Sequence, residues 1–156
     1  MRIVVAQRED ILPWLALAAE VEPLFGLLVD DPGFQQALAK CIGRGSAYCV
    51  RVGDGPPGVP LAGGLLFSAK PPVYTIGWLA VAEAQRRQGV GRALVEHVAL
   101  LVRPPAEMAV TTFVEGCQEV EPARKFYEAL GFHPVEATAG PRGEPRQVYR
   151  RQFQGR

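Results

Sequence analysis

Apolar positions along the chain fall into alternating strand-like and helix-like runs. Ile3 to Ala6 reads as a short strand, and behind it Ile11, Leu15, Ala18 and Ala19 recur at helical spacing. A second helix is expected from Phe34 to Ile42, with Asp30, Asp31 and Pro32 as its start signal. Ala47 to Val52 and Leu61 to Phe67 read as strands about the turn-rich Gly53-Asp54-Gly55-Pro56-Pro57-Gly58, the pattern of a hairpin. Val73 to Val81 follows as a longer apolar strand, whose Thr75, Ile76, Trp78 and Val81 suit a pleated surface. Helical spacing returns from Gly89 to Arg103 through Val90, Leu94, Val98 and Leu101, until Pro104-Pro105 stops it. Met108 to Val114 reads as a buried strand. Pro122 suits the first turn of a last helix that aligns Ala123, Phe126, Tyr127 and Leu130 on one face, with Gly131 as its C-terminal cap. Phe132 to Ala137 and Gln147 to Phe153 are the closing strands. The order β-α-α-β-β-β-α-β-α-β-β describes an α/β domain with a largely antiparallel front.

A length of 156 residues suits one domain over residues 1–156. Apolar residues at 48% and charged residues at 21% exclude a disordered chain, so the 17 glycines and 14 prolines act as punctuation. The formal net charge of +1 supplies no global field for polyanions, so no nucleic-acid partner is expected and any anion site must be local. The apolar stretch from Ile11 to Val29 is interrupted by Pro13, Glu20, Glu22 and Pro23, short of the roughly 20 residues a bilayer span needs. No membrane partner is expected, the signal-peptide layout is missing, and a cytoplasmic location is the default. Cys41, Cys49 and Cys117 are odd in number and lack C-x-x-C spacing, and only His97 and His133 accompany them. Neither a disulfide scaffold nor a metal site is expected.

The chemistry is concentrated in the segment Val81-Ala82-Glu83-Ala84-Gln85-Arg86-Arg87-Gln88-Gly89-Val90-Gly91-Arg92-Ala93-Leu94, a short basic turn between a buried strand and an amphipathic helix. A helix N-terminus offers unpaired N–H groups and a partial positive charge, which suits a phosphate. Gly89 and Gly91 remove Cβ atoms where a ligand must touch the backbone. Arg86, Arg87 and Arg92 add neutralising charge. The turn lacks the third small residue of the dinucleotide fingerprint, and the chain has no Gly-Lys-Ser/Thr for a P-loop.

Arg86-x-x-Gly89-x-Gly91 resembles the Arg/Gln-x-x-Gly-x-Gly/Ala signature of the GCN5-related N-acetyltransferase (GNAT) family. Pro122-Ala123-Arg124-Lys125-Phe126-Tyr127-Glu128-Ala129-Leu130-Gly131-Phe132 is similar to the same family's late motif, Ala-x-x-Phe/Leu-Tyr-x-x-x-Gly-Phe. The element order before, between and after the two segments also agrees. The resemblance implies the acyl-CoA N-acyltransferase fold, a mixed, mostly antiparallel central sheet with about four helices, acetyl-CoA as cosubstrate and no metal. It further implies that Leu79, Ala80 and Val81 present main-chain groups to the pantetheine arm. The pyrophosphate would lie against the backbone of Arg86, Arg87, Gln88, Gly89, Val90, Gly91, Arg92 and Ala93. Phe126 and Tyr127 match positions beside the thioester, where the tyrosine hydroxyl commonly protonates the departing thiolate. The usual Asn three residues before the helix alanine is here Val120.

Each of these residues also has a plainer reading. Tyr127 can be a packed aromatic, Phe126 suits the core better than cofactor contact, and His97 between Leu94 and Leu101 suits a flank of the core. No acid falls within Val73 to Val81, so the amine would lose its proton to water or to Glu115, itself an ordinary loop carboxylate on the plainer reading. Cys117 has nothing nearby to stabilise a thiolate. Trp78 and Tyr48 can line an acceptor pocket or simply pack. Phe25, Leu27, Leu28 and Phe34 give the helical region an apolar tone, whereas Asp30 and Asp31 could attract an ammonium group. The acceptor is therefore a small-molecule or peptide amine of unspecified identity. Pairing through outer strands into a homodimer is common in the family. Two rivals to an enzyme stay open: an acyl-CoA-binding regulatory module with little turnover, and a structural domain with an incidental basic turn.

Overall fold

The computed structural model of the protein describes residues 1–25, 29–113, 120–140, 143 and 145–154. Leu27, Leu28, Glu115 and Cys117 lie outside the described residues, as do the side chains of Phe25 and Val120. The elements are β1 (Val4–Val5), α1 (Ile11–Phe25), α2 (Pro32–Arg44), β2 (Ala47–Arg51), β3 (Leu61–Lys70), β4 (Val73–Val81), α3 (Val90–Ala99), β5 (Ala106–Phe113), α4 (Val120–Ala129), β6 (His133–Ala139) and β7 (Pro145–Phe153). This is the expected order. The strands form a mixed sheet in the order β1-β2-β3-β4-β5-β7-β6. Antiparallel ladders join β1 to β2, β2 to β3, β5 to β7 and β6 to β7, while β4 and β5 run parallel.

The chain divides into two compact units. The first comprises Met1–Ser68 and Trp78–Leu100. Its core gathers Trp14, Leu17, Ala18 and Val21 of α1 with Phe34 and Leu38 of α2, over Ala47, Cys49, Leu61, Leu66 and Ala80 of the strands. Every residue of β2 is buried, consistent with a strand covered on both faces. The start of α2 follows the sequence signal: Asp31 accepts the Gly33 N–H at 3.0 Å, Pro32 opens the helix, and Gly45 closes it at φ 72°.

Gly63 and Gly64 on β3 admit helices to the strand. A Cβ on Gly63 would stand 2.7 Å from Val90 Cγ1 and 3.1 Å from the Ala80 carbonyl oxygen, and one on Gly64 would stand 2.8 Å from the Trp14 ring. A buried ion pair ties the 3-10 turn Arg8–Asp10, just ahead of α1, to β2. Arg51 donates from Nε to Asp10 Oδ1 at 3.0 Å and from Nη2 to Oδ2 at 2.7 Å, and the Gln7 N–H donates to the same carboxylate at 2.8 Å. Burial alone would raise the Asp10 pKa, but these donors and the Arg51 charge hold it below the ordinary carboxylate value.

The second unit comprises Ala69–Gly77 and Leu101–Arg156. β4 pairs with β5 from Val73↔Glu107 to Ile76↔Val110, and β5 pairs with β7 along its whole length. Met108, Val110, Tyr127, Leu130, Phe132 and Tyr149 are buried here. β6 is exposed throughout and carries an irregularity between Pro134 and Glu136, which interrupts a sheet edge. α3 ends at Ala99, four residues before the expected Arg103; Leu100 and Leu101 beyond it are exposed, and Val102 is buried outside the helix.

Candidate active site

The basic turn begins at the end of β4. Ala82 donates its N–H to the Ala62 carbonyl of β3 at 2.8 Å. Main-chain groups alternate sides along a strand, so those of Val81 and Leu79 aim at the edge opposite β3. The β5 ladder ends earlier, at Ile76. A 3-10 turn over Glu83–Gln85 follows, closed by Gln85 N–H to Ala82 O at 2.9 Å and Arg86 N–H to Glu83 O at 3.3 Å.

Two left-handed residues then aim the chain into α3. Arg87 has φ 63° and Gly89 has φ 81°. For Arg87 this conformation is uncommon and costs energy that the surrounding fold must offset. Gly89 is the N-cap of α3 and supplies no side-chain hydrogen bond, and the first intrahelical bond is Ala93 N–H to Gly89 O at 2.9 Å. The preceding amides, including those of Val90, Gly91 and Arg92, therefore have no partner within the helix. A Cβ on Gly89 would meet nothing within 4 Å, so glycine is required there by its φ and not by crowding. Val90 and Gly91 are buried, whereas Arg86, Arg87, Gln88, Gly89 and Arg92 are exposed and Ala93 is half-buried. Among the described residues, no carboxylate pairs with Arg86, Arg87 or Arg92. Main-chain amides without a helical partner, flanked by exposed guanidinium groups, can hold a phosphate or diphosphate.

Tyr127 lies on α4 in the second unit and is 6% exposed. Its ring meets Phe126 edge-on at 5.0 Å, Phe132 at 5.6 Å and Tyr149 at 5.9 Å between centroids. Burial raises its phenol pKa well above the ordinary value, so the group stays protonated at neutral pH. It can donate a hydrogen bond. Phe126 is half-buried beside it. Leu79 and Val81 are half-buried and Ala80 is buried.

Several other candidates resolve into packing. The Trp78 ring packs at a tilt against Trp14, 5.7 Å between centroids, and Phe34, 5.5 Å, inside the first unit. Half-buried His97 packs against the Tyr48 ring at 5.1 Å. His133 is exposed at the start of β6. Burial pushes the Cys49 thiol up to about 12, and the nearby Asp10 carboxylate adds to this, which leaves it unreactive. Among the described residues, no cluster of His, Cys, Asp and Glu could hold a metal, and no helix is long and apolar enough to cross a membrane.

Sequence reasoning missed Gly63, which seats Val90 at the first residue of α3. The available signal was a glycine pair inside a strand pattern, which marks close approach of another element. It also missed Glu20 of α1, whose carboxylate accepts the Glu83 N–H at 2.5 Å; no local pattern links positions so far apart.

A sequence model of the acetyltransferase (GNAT) domain matches residues 44–134. No curated protein matches the chain in sequence. Among solved structures, the ribosomal-protein-S18-alanine N-acetyltransferase from Escherichia coli is 17% identical, with TM-score 0.72 over 99% of this chain and 95% of that one. Ard1 from Thermoplasma volcanium is 17% identical, with TM-score 0.73 over 99% and 98%. Arabidopsis thaliana Naa50, solved with the bisubstrate analogue CoA-Ac-MVNAL, is 18% identical, with TM-score 0.71 over 97% and 98%. At these identities the likeness is one of fold.

Proposed function

Because the chain belongs to the acetyltransferase (GNAT) family and is an acetyltransferase, we propose that it transfers the acetyl group of acetyl-CoA to a primary amine of a small molecule or peptide by direct attack. The observation that carries this reading is the uncapped first turn of α3, reached through left-handed Arg87 and Gly89. The diphosphate of coenzyme A would accept from the amides of Gly89, Val90, Gly91 and Arg92, with Gln88 and Ala93 at the ends of the row. Arg86, Arg87 and Arg92 would supply charge. The N–H and carbonyl groups of Leu79 and Val81, turned away from β3, suit the amide-bearing pantetheine arm. Ala80 lies between them and is buried.

The chemistry then asks little of side chains. The neutral amine attacks the thioester carbonyl, a main-chain N–H of β4 stabilises charge growing on oxygen, and the C–S bond breaks as the intermediate collapses. Tyr127 is the proposed donor to the departing sulfur. Its raised pKa makes it a weak acid, so it stabilises the thiolate by hydrogen bonding and gives up the proton only as sulfur charge accumulates. Phe126, packed on Tyr127, holds that ring in place. The amine proton passes to water or to Glu115. The Naa50 structure carries a CoA-peptide conjugate, which supports acetyl-CoA as donor and a peptide N-terminus as one class of acceptor to test.

A thermal-shift titration tests the reading. Ligand at about 100 times its dissociation constant should add about 2.7 kcal/mol of stability. Acetyl-CoA and coenzyme A should raise the melting temperature, the desphospho form less, and adenine alone not at all. No shift with either coenzyme would overturn the proposal. Thiol release across an amine panel then separates an enzyme from a module that binds without turnover.

A further inference from the structure

We infer that Glu20 is a positioning residue for the cofactor turn, a role resting on the functional reading above. Ala82, at the N-cap of the 3-10 turn, gives no side-chain cap. The first N–H of that turn, on Glu83, is instead capped from α1, through Glu20 Oε1 at 2.5 Å. Glu83 thus carries a bond at each end of its backbone: its N–H is held by Glu20, and its carbonyl accepts the Arg86 N–H at 3.3 Å. Arg86 is the first residue of the Arg-x-x-Gly-x-Gly turn, so the carboxylate on α1 fixes where that turn begins.

The anchor at the other end of the bond is firm. Val21, next to Glu20, is fully buried, and Trp14, Leu17 and Ala18 of the same helix are 3% exposed or less. α1 can therefore serve as a fixed post, whereas the turn itself has exposed residues from Arg86 to Gly89 and, among the described residues, hydrogen-bonds to β3 through the Ala82 N–H. A charged acceptor strengthens the bond to an amide. The same negative charge is no help to a bound diphosphate, so the value of Glu20 lies in geometry and not in attraction to the cofactor. This separates a Gln substitution, which keeps an acceptor oxygen, from an Ala substitution, which keeps none.

The test compares wild type, Glu20→Ala and Glu20→Gln. Loss of one such hydrogen bond at an exposed site should raise the acetyl-CoA dissociation constant and KM of Glu20→Ala about three- to tenfold. Its kcat at saturating acetyl-CoA should stay within about twofold of wild type, because no group at the reacting atoms has changed. Glu20→Gln should recover wild-type affinity to within about twofold. Unchanged affinity in Glu20→Ala, or equal weakening in both variants, would overturn the role. Amide hydrogen exchange in the ligand-free protein gives a readout independent of the cofactor: Glu83 and Arg86 should exchange faster in Glu20→Ala alone. If acetyl-CoA fails to bind wild type, the functional reading falls. Faster exchange at both amides would then still support the anchor, and unchanged exchange would overturn it as well.

Discussion

Replacing Gly63 with alanine would place a methyl group where the first residue of α3 already packs. The added Cβ would lie 2.7 Å from Val90 Cγ1, 3.1 Å from the Ala80 carbonyl oxygen and 3.3 Å from Leu94 Cδ1. Two of these neighbours are side chains that are 4% and 0% exposed, and the third is backbone, so none can yield into solvent. Overpacking at such a site costs about 1–3 kcal/mol. For a chain of this size that corresponds to a melting temperature lower by about 3–10 °C. The strain should be relieved by moving Val90, the easier of the contacts to displace, and with it the amides of the first turn.

Gly64→Ala is the matched control. Its Cβ would meet the Trp14 ring at 2.8 Å and so press on α1 rather than on α3. Calorimetric melting and acetyl-CoA titration of both variants, at a temperature where each is folded, separate stability from binding. Both should melt lower, and only Gly63→Ala should also bind acetyl-CoA more weakly, by about tenfold for each 1.4 kcal/mol lost at the site. A Gly63→Ala protein as stable as wild type, or equal loss of affinity in both variants, would refute the link between β3 and the anion turn.

Tyr127→Phe keeps the aromatic packing with Phe132 and Tyr149 and removes only the hydroxyl. Thiol release should slow by about 10²–10⁴-fold with acetyl-CoA affinity within a few fold of wild type, measured by stopped-flow thiol detection beside calorimetric titration. Asp10→Asn leaves Arg51 buried without its counter-charge and should cost about 3–5 kcal/mol at neutral pH by chemical denaturation. The Asp10 pKa is lowered from 3.8 on folding, so its contribution is fully present above that value and lost as pH falls through the lower folded pKa. The gap between wild type and Asp10→Asn should therefore narrow only in acid below about pH 4, and a gap independent of pH would count against the ion pair. Cys49, with its thiol pushed up to about 12, should resist alkylation at pH 8 until the chain is unfolded, as read by mass spectrometry.

Local rules reached most of the fold because most elements announce themselves locally. Asp31-Pro32 and Gly45 bracket α2, the alternation in Val73–Val81 marks β4, and Gly89 and Gly131 sit where helices begin and end. The anion turn was legible for the same reason, since charge, glycine and helix start are adjacent in sequence. What stayed hidden depends on distant partners. Asp10 and Arg51 are ordinary charges until folding pairs them, and Gly63 reads as a weak strand position until Val90 lands on it. Glu20 is a polar interruption in an apolar helix until Glu83 meets it. Leu101 continues the helical spacing of Val90, Leu94 and Val98, yet it is exposed and α3 stops at Ala99. For Trp78, composition allowed either pocket or packing, and contact with Trp14 and Phe34 favours packing.

The most direct test of a diphosphate held by the first turn of α3 is a titration of isotope-labelled protein with acetyl-CoA, followed at each backbone amide by NMR. The expected result is saturable shifts at Gly89, Val90, Gly91 and Arg92 that track the calorimetric affinity, reproduced by a coenzyme A fragment that keeps the diphosphate and lost with adenine alone. Binding that leaves those four amides unmoved would contradict it.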